Sequence, residues 1–331
     1  MSKIKSSSIL IGLVEFAKGN IGVLLGIIII SVVMSIITPF FATSTNAFNV
    51  LRQVSINAML AMGMTFVILA AGIDLSVGPV CAVSGMLAVV LIVVFGYPVW
   101  IAILAALLIG LLCGASNGVM IAKTGIPPFI VTMAMMSIAR GLTFFLSGGT
   151  SIRIDVPAYN IIGTGFVFAE FSYPVFYAVI IFIVLWFVLN HTKLGRHIYA
   201  VGGNRETARF CGINIQRTQI IVFTLSGFLA AFSGIVLTAR MFTGQPSMGD
   251  GFELDAIAAV VLGGTSMAGG KGRLGGTILG VILIGLINNS LNLLNVPFFM
   301  QMVAKGVVIL IAVNLDAYNR RKTLRVKKAK A

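Results

Sequence analysis

Carboxylates are scarce in this chain, nine in 331 residues, so each one beside an apolar run is a candidate for chemistry. Asp74 lies in the segment Gly72 to Pro79, GIDLSVGP, which breaks two apolar runs. A carboxylate there serves either to bond the exposed amides of the break or to line a path for a solute. Glu253 and Asp255 open a later run, at the helix end where the dipole favours negative charge. By the topology argued below they face outside, where an external delivery protein would meet them. Gly285, Asn288, Asn292 and Asn295 recur at spacings of three and four, so they share one helical face, with Asn289 beside it. Amides in hydrocarbon need partners. They either bond neighbouring helices or line a cavity that passes hydroxylated solutes. Asn57, in the run before the break, joins Asp74, Asn288 and Asn292 as candidates for that path.

One long polar stretch interrupts the apolar sequence, HTKLGRHIYAVGGNRETARFCGINIQR at 191–217. It carries Lys193, Arg196, Arg205, Arg209 and Arg217. Within it Asn204 is placed to accept a hydrogen bond from an amide two or three residues on, and Gly212 to end a helix in the left-handed conformation. Glu206 in the first turn and Arg209 toward the last complement the helix dipole. Gly202 and Gly203 are expected to free the chain to turn into this short helix. The reading is a rigid surface helix that docks a cytosolic protein and transmits its movement to the spans as a unit.

These groups must be held by membrane elements. The residues are 58% hydrophobic and 10% charged, with mean hydropathy +1.06, against about 25% charged in soluble domains. A spanning helix needs roughly 20 apolar residues. About ten windows qualify, centred near 21–38, 54–71, 79–95, 99–121, 128–146, 173–190, 218–239, 254–269, 274–293 and 298–315. The expected fold is therefore an all-α polytopic membrane protein, one membrane domain over 1–331 with 191–217 as its inner loop. The first apolar run, of about 18 residues, exceeds the 7 to 15 of a cleaved leader and reads as a retained span.

Charge sets the orientation. The start of the chain, Lys123, the 191–217 stretch, Lys271, Arg273 and the basic tail fall on one side, against Arg52, Arg140, Arg153 and Arg240 on the other. That bias puts both termini in the cytoplasm. The formal charge of +14 is accordingly read as a topology signal and lipid-headgroup anchor, not as a nucleic-acid arm. Lys305, within the last window, is placed to snorkel to a span end. The segments 50–85 and 251–280 each run from an apolar span through a Gly-rich break into another. If spans two to five match spans seven to ten, this is an inverted-topology repeat; a chance likeness of Gly-rich turns is the other explanation.

Enzyme chemistry finds no footing, and no catalytic residues are assigned. Thr265 to Gly272, TSMAGGKG, approaches a phosphate-cradling loop but lacks its first Gly and the Ser or Thr after Lys. Cys81, Cys113 and Cys211 form no paired motif, and His191 and His197 make no metal site.

The runs INAMLAMGMTFVILAAGIDLSVG (56–78), GRHIYAVGGNRETARFCGIN (195–214), ELDAIAAVVLGGTSMAGGKGR (253–273) and NNSLNLL (288–294) resemble the permease subunits of bacterial ABC importers for ribose and related sugars. The resemblance extends over nearly the whole chain. It implies a multi-pass protein of the bacterial cytoplasmic membrane that works as a homodimer with cytosolic ATP-binding chains, which hold the ATP and Mg. It also implies a periplasmic or lipid-anchored sugar-binding protein. On this likeness the coupling helix falls on Gly202, Gly203, Asn204, Glu206, Arg209 and Gly212. A carrier or channel working without ATP is the other functional class; such a carrier usually shows buried ionisable groups for ion coupling.

Overall fold

A computed structural model describes residues 20–168, 171–297, 299–308, 310, 311 and 314. The basic tail and the first lysines, on which the anchor reading rests, lie outside the described residues. Nearly every element is helical, as hydrocarbon requires of a chain that must satisfy its backbone groups internally. In order they are α1 (Ile21–Ile37), α2 (Ser44–Leu69), α3 (Val77–Val93), α4 (Val99–Thr124), α5 (Pro128–Ser147), α6 (Pro157–Thr164), α7 (Tyr173–His191), α8 (Lys193–Gly203), α9 (Arg205–Phe210), α10 (Ile215–Met241), α11 (Phe252–Leu262), α12 (Leu274–Leu293) and α13 (Phe299–Val308). Six of these, α2, α4, α5, α7, α10 and α12, are long and apolar enough to cross a bilayer.

The window expected at 254–269 is no continuous span. Its helix, α11, stops at Leu262, after a rise of about 15 Å against the roughly 30 Å of a bilayer core. A loop rich in left-handed glycines follows, with Gly264, Gly269 and Gly270 at positive φ.

Helix α10 runs through the centre, packed against α2, α3 and α4. Gly110, Gly114 and Gly118 form a stripe on α4 that lets the two backbones approach. A Cβ at Gly114 would overlap the Phe223 carbonyl oxygen and stand 3.1 Å from the Gly227 Cα. Gly114→Leu is therefore expected to cost about 1–3 kcal/mol or more through overpacking, and to abolish the monodisperse peak in size-exclusion chromatography. Gly141→Leu on α5, where a Cβ meets open space, should leave that peak intact.

The ends of the bundle sort into two sides. On one lie α8 and α9, the end of α4 and the start of α10, joined where the Gln216 amide donates to the Ala122 carbonyl at 3.2 Å. On the other, strand β1 (Ile152–Arg153) pairs antiparallel with β4 (Thr243–Gly244) just beyond the end of α10, and β2 (Phe166–Phe168) pairs with β3 (Phe171–Ser172).

Two elements break within this bundle. After α2 the chain turns at Ala71, which has φ +58, and re-enters along 72–76 before α3 begins. After β4, residues 245–251 lead to α11, whose preceding residue Gly251 is left-handed. The first turns of α3 and α11 meet: a Cβ at Gly78 would overlap both the Gly249 carbonyl and the Glu253 carboxyl. From this junction α3 rises about 24 Å to one side and α11 about 15 Å to the other, together close to the 40–45 Å of a full bilayer. The junction thus lies inside the membrane thickness.

Candidate functional site

A cavity of about 430 Å³ opens at this junction, lined by Pro79, Met136, Ser137, Arg140, Asp250 and Glu253. Pro79 occupies the first turn of α3, where no donor is needed. Arg140 comes from α5, twelve residues past its start, and forms an ion pair with Asp250. Its guanidinium also donates to the Pro246 carbonyl at 2.7 Å and the Met248 carbonyl at 2.9 Å. The arginine thereby staples the loop 245–250 to α5. Glu253 turns its buried Oε2, without a hydrogen-bond partner among the described residues, against Gly78. The wall therefore offers carboxylate and hydroxyl acceptors while its one cation is already engaged.

The start of α3 is fixed by a separate network. The Asp74 carboxylate accepts from the Ser76 amide at 3.0 Å, the Ser76 hydroxyl at 2.6 Å and the Ser226 hydroxyl of α10 at 2.8 Å. Asn117 of α4 donates to the Ser76 oxygen at 3.0 Å. A short sequence break is so tied to two long helices.

On the α8 side, Asn204 Oδ1 accepts from the Thr207 amide at 3.0 Å and Gly212 sits at φ +77, which bounds α9 as a capped two-turn helix with Glu206 in its first turn and Arg209 in its last. Arg205, Glu206, Thr207, Arg209 and Phe210 are exposed and Ala208 is buried. The polar stretch holds two helices, since α8 precedes α9. Gly202 is not the hinge that its type suggested: it lies in α8, where a Cβ would overlap the Leu69 carbonyl and stand 2.6 Å from the Gly270 nitrogen. The Gly270 amide donates to that same Leu69 carbonyl at 2.9 Å, and the Tyr199 hydroxyl donates to the Gly272 carbonyl at 2.9 Å. Burial pushes the Tyr199 phenol above its ordinary pKa, against the opposing pull of Arg273, so it stays a donor. One helix end thus grips both interrupted elements, the end of α2 and the loop after α11.

Residues 46–313 match a family described as the branched-chain amino acid transport system / permease component. The chain belongs to this permease family. It is 44% identical over 304 residues to a ribose import permease protein of Haemophilus influenzae, covering 91% of this chain and 94% of the relative. It is 46% identical over 299 residues to a ribose import permease protein of Bacillus subtilis, covering 90% and 92%. A D-allose transport system permease protein of Escherichia coli is 38% identical, over 87% of this chain and 88% of the relative. No solved structure matches. With its apolar helices and these relatives, the permease is a multi-pass protein of the inner, cytoplasmic membrane.

In this permease the polar residues expected to share a path are dispersed. Asp74 is 1% exposed and spent on its serines. Asn57 is buried on α2. Asn292 accepts from Gln301 at 3.0 Å, and Asn289 exchanges two hydrogen bonds with Asn46 of α2. Asn288 donates to Asp255 at 3.2 Å. Asp255 is corrected as a contact for an external protein: it is buried and paired with Lys305 of α13 at 2.9 Å. Lys305 accordingly points inward to a carboxylate instead of snorkelling. Of the two acidic residues opening α11, Glu253 alone lines the cavity.

The cavity residues that sequence reasoning missed are Pro79, Met136, Ser137, Arg140 and Asp250. Arg140 had a readable signal, a charge well inside an apolar window, which marks a functional site. Assigning it to an outer segment for the charge bias concealed this, and the structure corrects that assignment by placing it within α5.

Proposed function

We propose that this chain is the membrane-spanning permease of an ATP-driven importer for a monosaccharide, with ribose the first candidate. The observation that carries the reading is identity of 44 to 46% over about nine tenths of the chain to proteins named as ribose import permeases. Two copies would stand side by side. Separate cytosolic chains would bind ATP and Mg and press on α8 and α9, and a periplasmic or lipid-anchored binding protein would deliver the sugar on the opposite side.

In this reading α8 and α9 face the cytoplasm, as do both termini, in keeping with the positive charge gathered there. An arrangement of ten membrane segments, with α2–α5 and α10–α13 as inverted repeats, is supported by the two short helices α3 and α11. They start beside each other and run to opposite sides, the pattern of discontinuous helices in transporters. Gly202, Gly203, Asn204, Glu206, Arg209 and Gly212 build and seat the coupling element. Closure of the ATP-binding chains would move α8 and α9 together and, through Gly202 and Gly270, pull on both broken elements.

The test is uptake of labelled ribose by vesicles holding this chain, its ATP-binding partner and the binding protein, with xylose and allose as competitors. Uptake should stop with a partner unable to hydrolyse ATP. Uptake that survives such a partner and collapses with an ionophore would sink the proposal. At the docking surface, Phe210 on α9 is 90% exposed. Phe210→Ala is expected to weaken partner affinity by about 2 kcal/mol or more, as loss of an aromatic anchor does, with thermal stability unchanged because nothing buried is lost. Pull-down titration against the ATP-binding chain measures it.

A further inference from the structure

We infer that the cavity between α3, α5 and α11 is a transient binding site for a neutral polyol in transit, its hydroxyls donating to Glu253 and Asp250. This rests on the sugar-permease reading and adds the place in the chain where the solute is held.

Depth is the first argument. The cavity sits at the junction of two short helices, inside the membrane thickness, yet the Asp250 side chain is 49% exposed. A half-exposed carboxylate at such depth faces water or a polar solute, since hydrocarbon contact is too costly. The cavity mouth is therefore suited to water or a polar solute and not to lipid.

Chemistry selects the ligand. The volume, about 430 Å³, falls in the range of about 300–1,000 Å³ of small-molecule sites. Asp250 and Glu253 both line the cavity, and the Asp250 carboxylate is half exposed there as an acceptor. Ser137 adds a hydroxyl, while Arg140 is committed to Asp250 and two carbonyls. A ligand that brings several donors and no charge fits this wall. Among the described residues no group of three His, Cys, Asp or Glu is placed to hold a metal ion. An anion would meet two carboxylates. Among the described residues no aromatic side chain lines the cavity, so no stacking surface adds to affinity.

The test uses the permease with its ATP-binding partner and binding protein in vesicles. In a Cys211→Ser background, Ser137→Cys is treated with a small hydrophilic methanethiosulfonate reagent, with and without excess ribose. The expected result is that the thiol reacts, ribose slows the reaction, and modification lowers ATP-driven uptake relative to the same protein before labelling. The wild-type Cys211, exposed beyond α9, should react in the permease without its ATP-binding partner at a rate that ribose leaves unchanged. Glu253→Gln, which keeps the size but weakens the acceptor, should cut ribose uptake about tenfold, the factor carried by one lost hydrogen bond to a charged group. A thiol at 137 that does not react, one that ribose leaves unprotected, or full uptake by Glu253→Gln overturns the assignment while the permease reading stands. A wild-type complex that moves no monosaccharide overturns both.

Discussion

Alanine at position 202 is expected to abolish sugar-stimulated ATP hydrolysis and to destabilise the chain, whereas alanine at the adjacent position 203 is expected to do neither. The two glycines are identical in the sequence and opposite in their surroundings. A Cβ at Gly202 runs into the Leu69 carbonyl and lies 2.6 Å from the Gly270 nitrogen, while a Cβ at Gly203 meets nothing within 4 Å. Both obstacles are backbone, which has no rotamer to change, so the methyl must push α8 off the end of α2 and off the loop 263–273. Overpacking of that kind costs about 1–3 kcal/mol. It would also weaken the Gly270 amide's bond to Leu69, which ties the end of α2 to the loop following α11 directly beside Gly202. Thermal unfolding in detergent, together with ATPase activity in the presence of loaded binding protein, measures both effects. Equal behaviour of the two alanine variants would show that the backbone contact transmits nothing.

The second large effect lies at Asp255 and Lys305. Asp255 is almost wholly buried on α11, bonded to Lys305 of α13 at 2.9 Å and to Asn288 of α12 at 3.2 Å. Removing one charge strands the other in a poorly solvated site. Lys305→Met or Asp255→Asn alone is therefore expected to cost about 3–5 kcal/mol. Asp255→Asn combined with Lys305→Met removes both charges and should recover most of that loss. The expected pattern is a low unfolding temperature for each single variant and a near-normal one for the double. If the losses simply add, the pair does not hold α13 to α11 and α12 as described.

Much of this architecture could be read residue by residue. Apolar length places the helices, and the Asn204 cap, the Glu206 and Arg209 charges and the left-handed Gly212 bound α9 as the local rules require. The failures have a common form. From its own neighbourhood alone, Asp255 reads as a helix-start carboxylate, Lys305 as a side chain near a span end, Gly202 as a free turn and Arg140 as an outer charge. In the structure each is decided by a partner far along the chain: Asp255 with Lys305, Gly202 with Leu69 and Gly270, Arg140 with Asp250. The eighth window failed for a related reason, since mean hydropathy does not distinguish a spanning helix from a half-length one that continues into a partly buried glycine loop.

What the sequence determined by itself is whatever depends on a few consecutive residues: membrane residence, helical class, the caps of the surface helix, the asymmetry of charge and the family motifs. Apolar burial and amide capping act within a turn or a span, so the local order of residue types suffices. What only the tertiary structure decided is which polar groups meet. The cavity draws its wall from α3, α5, α11 and the loop before α11, residues up to 174 positions apart from Pro79 to Glu253. Their meeting depends on how closely glycine-lined helices pack and where two short helices stop, and no local pattern encodes that distance.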